Sequence, residues 1–105
     1  MNKIFDYDLA IEYIGIPDLF FKLKREFVKN YKSFDRILVR LLNKGNFEEL
    51  KRKIHSLKGI TLNLGCEKLY DASIKVENEI INNDLSCFYD YINIFKRTYD
   101  ELKKK

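Results

Sequence analysis

The chain has little of what punctuates a fold: one proline, four glycines and no tryptophan in 105 residues. So few turn residues argue against an all-β protein, which needs a turn every few residues. The missing tryptophan excludes nothing. Two cysteines, Cys66 and Cys87, are too few for a disulfide framework and read as reduced thiols. No apolar run approaches the roughly 20 residues of a membrane span. The start, Met1-Asn2-Lys3-Ile4-Phe5-Asp6, lacks the apolar segment of a signal peptide. A cytoplasmic protein with no membrane contact is therefore expected. One histidine, His55, leaves no second imidazole for a metal site. No glycine-rich phosphate loop marks a nucleotide site. Neither sign of charge dominates, with 20 basic and 16 acidic residues mixed along the chain and a net charge of +4. The one dense run, Lys103-Lys104-Lys105, suits a solvated helix end better than nucleic acid binding.

What the chain has in quantity is apolar residues, 46% of the total, at helical spacing. Its length suits one domain whose core needs neither disulfide nor metal. A short helix is expected at 8–14, stopped by Gly15. Pro17 and Asp18 open the next. Phe20, Leu23, Phe27, Tyr31, Phe34, Leu38 and Leu41 then recur every three or four residues, which predicts one long helix over 17–43 with a weak stretch at 30–33 where it bends or breaks. Aromatics at this spacing are read as core, not as a base-stacking platform. Lys44-Gly45-Asn46 is a turn, and Asn46 with Glu49 three positions on resembles a capping box. Further helices are expected at 47–64, 67–82 and 85–102, with a turn at 82–84. Four long helices joined by short turns predict an all-α antiparallel four-helix bundle with a short additional N-terminal helix.

The third long segment holds Ile54-His55-Ser56-Leu57-Lys58-Gly59 and then Asn63-Leu64-Gly65. At about 100° per residue, Leu50, Leu57, Thr61 and Leu64 fall opposite His55, with Ile54 and Ile60 at the edges of that apolar side. His55 faces solvent. Gly59 lies one turn above it and Lys51 one turn below, with Lys58 and Arg52 on the flanks. A core histidine belongs on the apolar stripe, and this one is off it. A Ser-His-Asp or Cys-His site needs partners that spacing does not place. Glycine inside a helix costs about 1 kcal/mol relative to alanine, so Gly59 calls for a reason, and steric access to the imidazole supplies one. The ammonium of Lys58 would suit a phosphoryl group on the ring.

A histidine followed by lysine three residues on, glycine four on and a second glycine ten on resembles the phosphorylation motif of histidine-containing phosphotransfer domains. The matching positions are His55, Lys58, Gly59 and Gly65, and the similarity extends from about Leu9 to about Leu102. The resemblance implies a phosphorelay intermediary. His55 would accept a phosphoryl group from the phosphoaspartate of a receiver domain, or from a hybrid sensor histidine kinase, and pass it to a response-regulator receiver. Lys58 would offset the phosphoryl charge and Gly59 would keep the approach open. Lys51, Arg52, Ser56, Leu62 and Asn63 would meet the partner. The divalent metal would come from the receiver, with no cofactor of the chain's own and no ATP-dependent kinase activity. A monomer is expected. One departure stands out. The family has small residues between the two glycines, and this chain has Ile60-Thr61-Leu62. Leu62 falls two turns above His55, where it either meets a partner as an apolar contact, which is the expectation, or obstructs docking. It keeps open a second reading, a non-phosphorylated module of the same kind that binds a receiver or kinase without transfer. A structural helical domain with an incidental histidine is the third, and Gly59 and Gly65 at motif spacing argue against it.

Overall fold

Short capping signals in the sequence set where the helices begin and end. The computed structural model describes residues 4–82 and 84–104. Every regular element among them is a helix: α1 (Tyr7–Ile14), α2 (Pro17–Asn30), α3 (Phe34–Asn43), α4 (Phe47–Thr61), α5 (Glu67–Ile81) and α6 (Phe88–Lys104). Asp6 caps α1, its carboxylate accepting from the Leu9 N–H at 3.2 Å. Asn46 caps α4 by accepting from the Glu49 N–H at 3.3 Å, at the spacing the sequence predicts. Pro17 occupies the first position of α2, where no N–H is missed.

The periodic run at 17–43 is two helices, not one. It breaks at Tyr31-Lys32-Ser33, where Tyr31 leaves the helical region at φ −113°, ψ 20°. Asn, Tyr and Ser are all mediocre helix formers, so little is lost by breaking there. Packing then holds the break: the Tyr31 ring stacks on Phe27 at 5.3 Å between centroids and meets Phe34 edge-on at 4.8 Å. The last helix also starts three residues later than 85. The Glu79 carboxylate accepts from the Cys87 N–H at 2.9 Å and the Ser86 hydroxyl at 3.3 Å, while Asp84 accepts from the Ser86 N–H at 3.0 Å. These bonds hold 84–87 as a turn. The turn expected at 82–84 includes Asn83, which lies outside the described residues, as do Met1–Lys3 and the last lysine of the terminal run.

Helix α4 packs most closely on α5 and also on α3. Helix α6 packs on α5, α3 and α2, and α1 packs on α2. Between them lies one core, which includes Leu38, Leu50, Ile54, Leu57, Leu69 and Leu102, each with no exposed surface. The aromatic residues of the 17–43 run go inward as expected: Phe20, Phe27 and Phe34 are buried and Tyr31 is half-buried. Phe34 meets Phe95 at 5.4 Å and Phe27 meets Tyr99 at 5.8 Å, and the Tyr99 hydroxyl donates to the Val28 carbonyl at 2.7 Å. The chain's last helix is thereby fixed to α2.

Gly65 closes α4. Turn geometry carries the chain on to Leu64, and then the Cys66 N–H bonds to the Thr61 carbonyl and the Gly65 N–H to the Leu62 carbonyl, both at 2.9 Å. This is a Schellman ending, with Gly65 at φ +72°. The residue has a second duty. Its carbonyl accepts from the Asp6 N–H at 2.8 Å, and a Cβ built on it would run into the Asp6 carbonyl. The N-terminal segment crosses here and only glycine leaves it room. Gly65→Ala is expected to lower stability by roughly 2–4 kcal/mol, from left-handed strain plus displacement of Asp6; an unchanged urea midpoint would refute this. Cys66 is buried, and desolvation pushes its thiol up to about 12. In the native protein a thiol reagent at pH 8 should label the half-buried Cys87 first, with Cys66 reacting on unfolding; equal rates would contradict its burial.

Candidate functional site

Helix α4 is apolar on one side only. Leu50, Ile54, Leu57 and Thr61 are buried, while Lys51, Arg52, His55, Ser56 and Gly59 are exposed. The His55 side chain retains 68% of its surface. Its place on the helix matches the facing read from sequence, because the apolar stripe can be buried only against α3 and α5. One turn further, a Cβ built on Gly59 meets nothing within 4 Å. No contact inside the molecule requires glycine there. The helix forgoes stability at a position that the fold would let alanine fill.

Sequence reading missed the residue that braces the imidazole. Glu77, on α5 and 22 positions away, lies with Oε2 3.4 Å from His55 Nδ1. Its side chain is 11% exposed. The Lys58 ammonium donates to Oε2 at 3.3 Å and sits 3.3 Å from Oε1, the latter an ion-pair distance without hydrogen-bond geometry. A buried carboxylate needs such a partner, since desolvation of an unpaired one costs several kcal/mol. Lys58 is itself pulled toward α5 and its side chain is 22% exposed. A sequence signal for Glu77 did exist. It stands next to Val76 and three residues before Ile80, at the edge of the apolar stripe of α5, where a carboxylate is unusual.

The other residues expected at the site divide between two flanks of α4. Lys51 is exposed and makes no ion pair among the described residues. Leu62 directly follows the last residue of α4 and is half-buried, more covered than expected, yet outside the side chains that pack on the core. On α5, Ile74 and Ile81 stand three and four positions from Glu77 and remain 37% and 60% exposed. Arg52 and Ser56 turn the other way. With Asn30, Tyr31 and Ile37 they line a cleft of about 340 Å³ between α4 and the α2–α3 break. Arg52 is already engaged, donating to Glu49 at 2.8 Å with Glu48 at 3.8 Å. Asn63 is exposed and lines a separate hollow of about 220 Å³ with Leu23, Phe27 and Ile60. Another hollow, about 520 Å³, lies on α3 and is lined by none of these residues. Among the described residues no three His, Cys, Asp or Glu side chains converge, and no helix is long and apolar enough to cross a membrane.

This arrangement can present one nitrogen of the His55 ring to a reacting atom while a carboxylate holds the other. No family model, curated protein or solved structure matches the chain. Two substitutions test the geometry. Gly59→Ala should raise stability by about 0.5–1 kcal/mol, and His55→Gln should change it by less than about 0.5 kcal/mol. Destabilisation in either would mean that this side of α4 is covered, as calorimetry of the two variants would reveal.

Proposed function

We propose that the chain is a phosphorelay intermediary that carries a phosphoryl group on His55 between aspartates of receiver domains, as the resemblance to histidine-containing phosphotransfer domains implies. The observation that carries this reading is Gly59, a helical glycine without an internal packing reason, one turn from an exposed imidazole. A partner that must bring a phosphoaspartate onto the ring would supply that reason. The architecture is read as the antiparallel four-helix bundle of that family. In support, α3, α4, α5 and α6 close a circuit of packed pairs, with α2 continuing before α3 and α1 as the additional helix.

In this reading the partner supplies the metal and the acyl phosphate, and this chain supplies position. The lone pair of Nε2 attacks phosphorus in line. The P–O bond to the aspartate breaks, its electrons leave with the carboxylate, and a P–N bond forms while the proton on Nδ1 stays in place. Transfer to the next receiver is the same step reversed on a new carboxylate. Such chemistry depends chiefly on placing the reacting atoms, and a ring on a packed helix is well placed. Lys51 adds an unpaired charge for the acidic partner. Exposed Ile74 and Ile81 give it apolar surface to cover. The alternative, a module that docks without transfer, draws on Leu62, whose half-buried side chain is larger than the family's residues there.

The test is transfer from a panel of phosphorylated receiver domains. Wild type should acquire an acid-labile, base-stable label that His55→Gln lacks. Gly59→Leu should fold but lose most of the transfer. A Gly59→Leu protein that transfers at the wild-type rate would remove the steric argument. Binding without a label on wild type would favour the docking module.

A further inference from the structure

We propose that the outward side of α2 and α3 is an adsorption surface for an anionic phospholipid bilayer, separate from the His55 side of α4. Lys22, Arg25 and Lys29 on α2, Lys32 in the break, and Arg36 and Arg40 on α3 follow one another at three or four residues throughout. Counted along the chain these cations look dispersed. Wound onto helices they form one row. Helices α2 and α3 both pack on α6 and bury Phe20, Phe27, Phe34 and Leu38 in one core. At about 100° per residue, Lys22, Arg25 and Lys29 fall opposite Phe27, and Arg36 and Arg40 opposite Phe34 and Leu38. All six cations are exposed, and among the described residues none of them makes an ion pair. The acidic residues of the two helices do not interrupt the row. Asp18 precedes it in the first turn of α2. Glu26 turns toward Ile60 and Asn63. Asp35 is half-buried and borders a hollow with Phe95 and Tyr99 of α6. Like charges at this spacing repel and weaken the helices that carry them. An anionic surface laid against the row removes that repulsion.

The row has no apolar crest, so it lacks the core of a protein–protein interface. Its charges suit phosphate groups. Packing against α1, α4 and α6 keeps α2 and α3 from sinking into a nucleic-acid groove, and a duplex would offer the row phosphate only where a strand winds past it. A bilayer presents anionic headgroups along the whole row. The aromatic rings at its start fit the same surface. Phe21 and Tyr7 are each 39% exposed, with ring centroids 6.3 Å apart, and the Lys24 ammonium lies 5.5 Å from the Phe21 centroid. Phe21 is next to Lys22 and one turn before Arg25, placed to settle among headgroups while the cations meet their charge. The expectation of no membrane contact came from the lack of a spanning segment, which adsorption does not need. None of the six cations lines either hollow beside α4, so a chain held by the row leaves His55 uncovered.

The experiment sediments the full chain with vesicles of phosphatidylcholine alone or with one-third phosphatidylserine. Wild type is compared with His55→Gln, Arg36→Gln/Arg40→Gln and Lys68→Gln/Lys75→Gln, each confirmed folded by its amide spectrum. The last pair removes the same charge from α5, which packs on neither α2 nor α3. Wild type should bind the phosphatidylserine vesicles, leave phosphatidylcholine vesicles unbound, and come off as salt is added. Arg36→Gln/Arg40→Gln should weaken partitioning about 25-fold, or about fivefold per charge. Lys68→Gln/Lys75→Gln should weaken it less than about twofold, because those charges stand more than a screening length from the surface. His55→Gln should bind like wild type. Wild type that ignores phosphatidylserine vesicles at low salt overturns the proposal. Equal losses in the two double variants also overturn it, since net charge alone would then do the binding. Salt-sensitive binding to a DNA duplex that Arg36→Gln/Arg40→Gln loses, with vesicles left unbound, would reassign the row to nucleic acid.

Discussion

Burial of the Leu50, Ile54 and Leu57 side of α4 against α5 and α3 is the contact on which both the fold and the site depend. Each such side chain contributes on the order of 2 kcal/mol when removed from water. Together they outweigh what the exposed side of the helix gives up, including the glycine at 59. Because the grip is one-sided, the opposite side is free to be chosen for something other than stability. His55 stands there on a helix that cannot roll, since a rotation would bring Lys51 or Arg52 into the core at a cost of several kcal/mol per charge.

The two motif glycines follow from different physics. Gly65 is enforced from inside, by a left-handed turn and by the Asp6 carbonyl that crosses over it. Gly59 has no such constraint, and an added Cβ would meet open space. A stability screen separates the two: one position should resist any side chain and the other welcome alanine. Gly65 therefore speaks for the fold, whereas Gly59 speaks for whatever approaches the imidazole from outside.

Lys58 and Arg52 carry a similar lesson about charge. Both sit on α4 close to His55, and counted along the sequence both look available to an anion. In the folded chain Arg52 is held by Glu49 and Glu48 within its own helix, and Lys58 by Glu77 across the helix pair. The exposed cation left without such a partner on this stretch is Lys51. Basic residues near a site are thus unequal, and the carboxylates they already meet decide which can greet a partner.

Much of this could be read from local pattern. Helical periodicity gives the all-helical class, the caps at Asn46 and Gly65, and the outward facing of His55, because each depends on neighbours within one or two turns. The weak stretch at 30–33 was legible too, but whether the helix runs on through it or ends there was not. The apolar spacing continues through it, and only the stacking of Phe27, Tyr31 and Phe34 settles that the chain bends. The late start of α6 likewise depends on Glu79, a residue of the preceding helix. Glu77 is the clearest case. Its pairing with His55 and Lys58 joins two helices across 22 and 19 positions, and spacing along the chain carries no record of a contact made between them. What one helix turn can specify was legible in the residues; which charge would be buried, and against which ring, awaited the packing of α4 on α5.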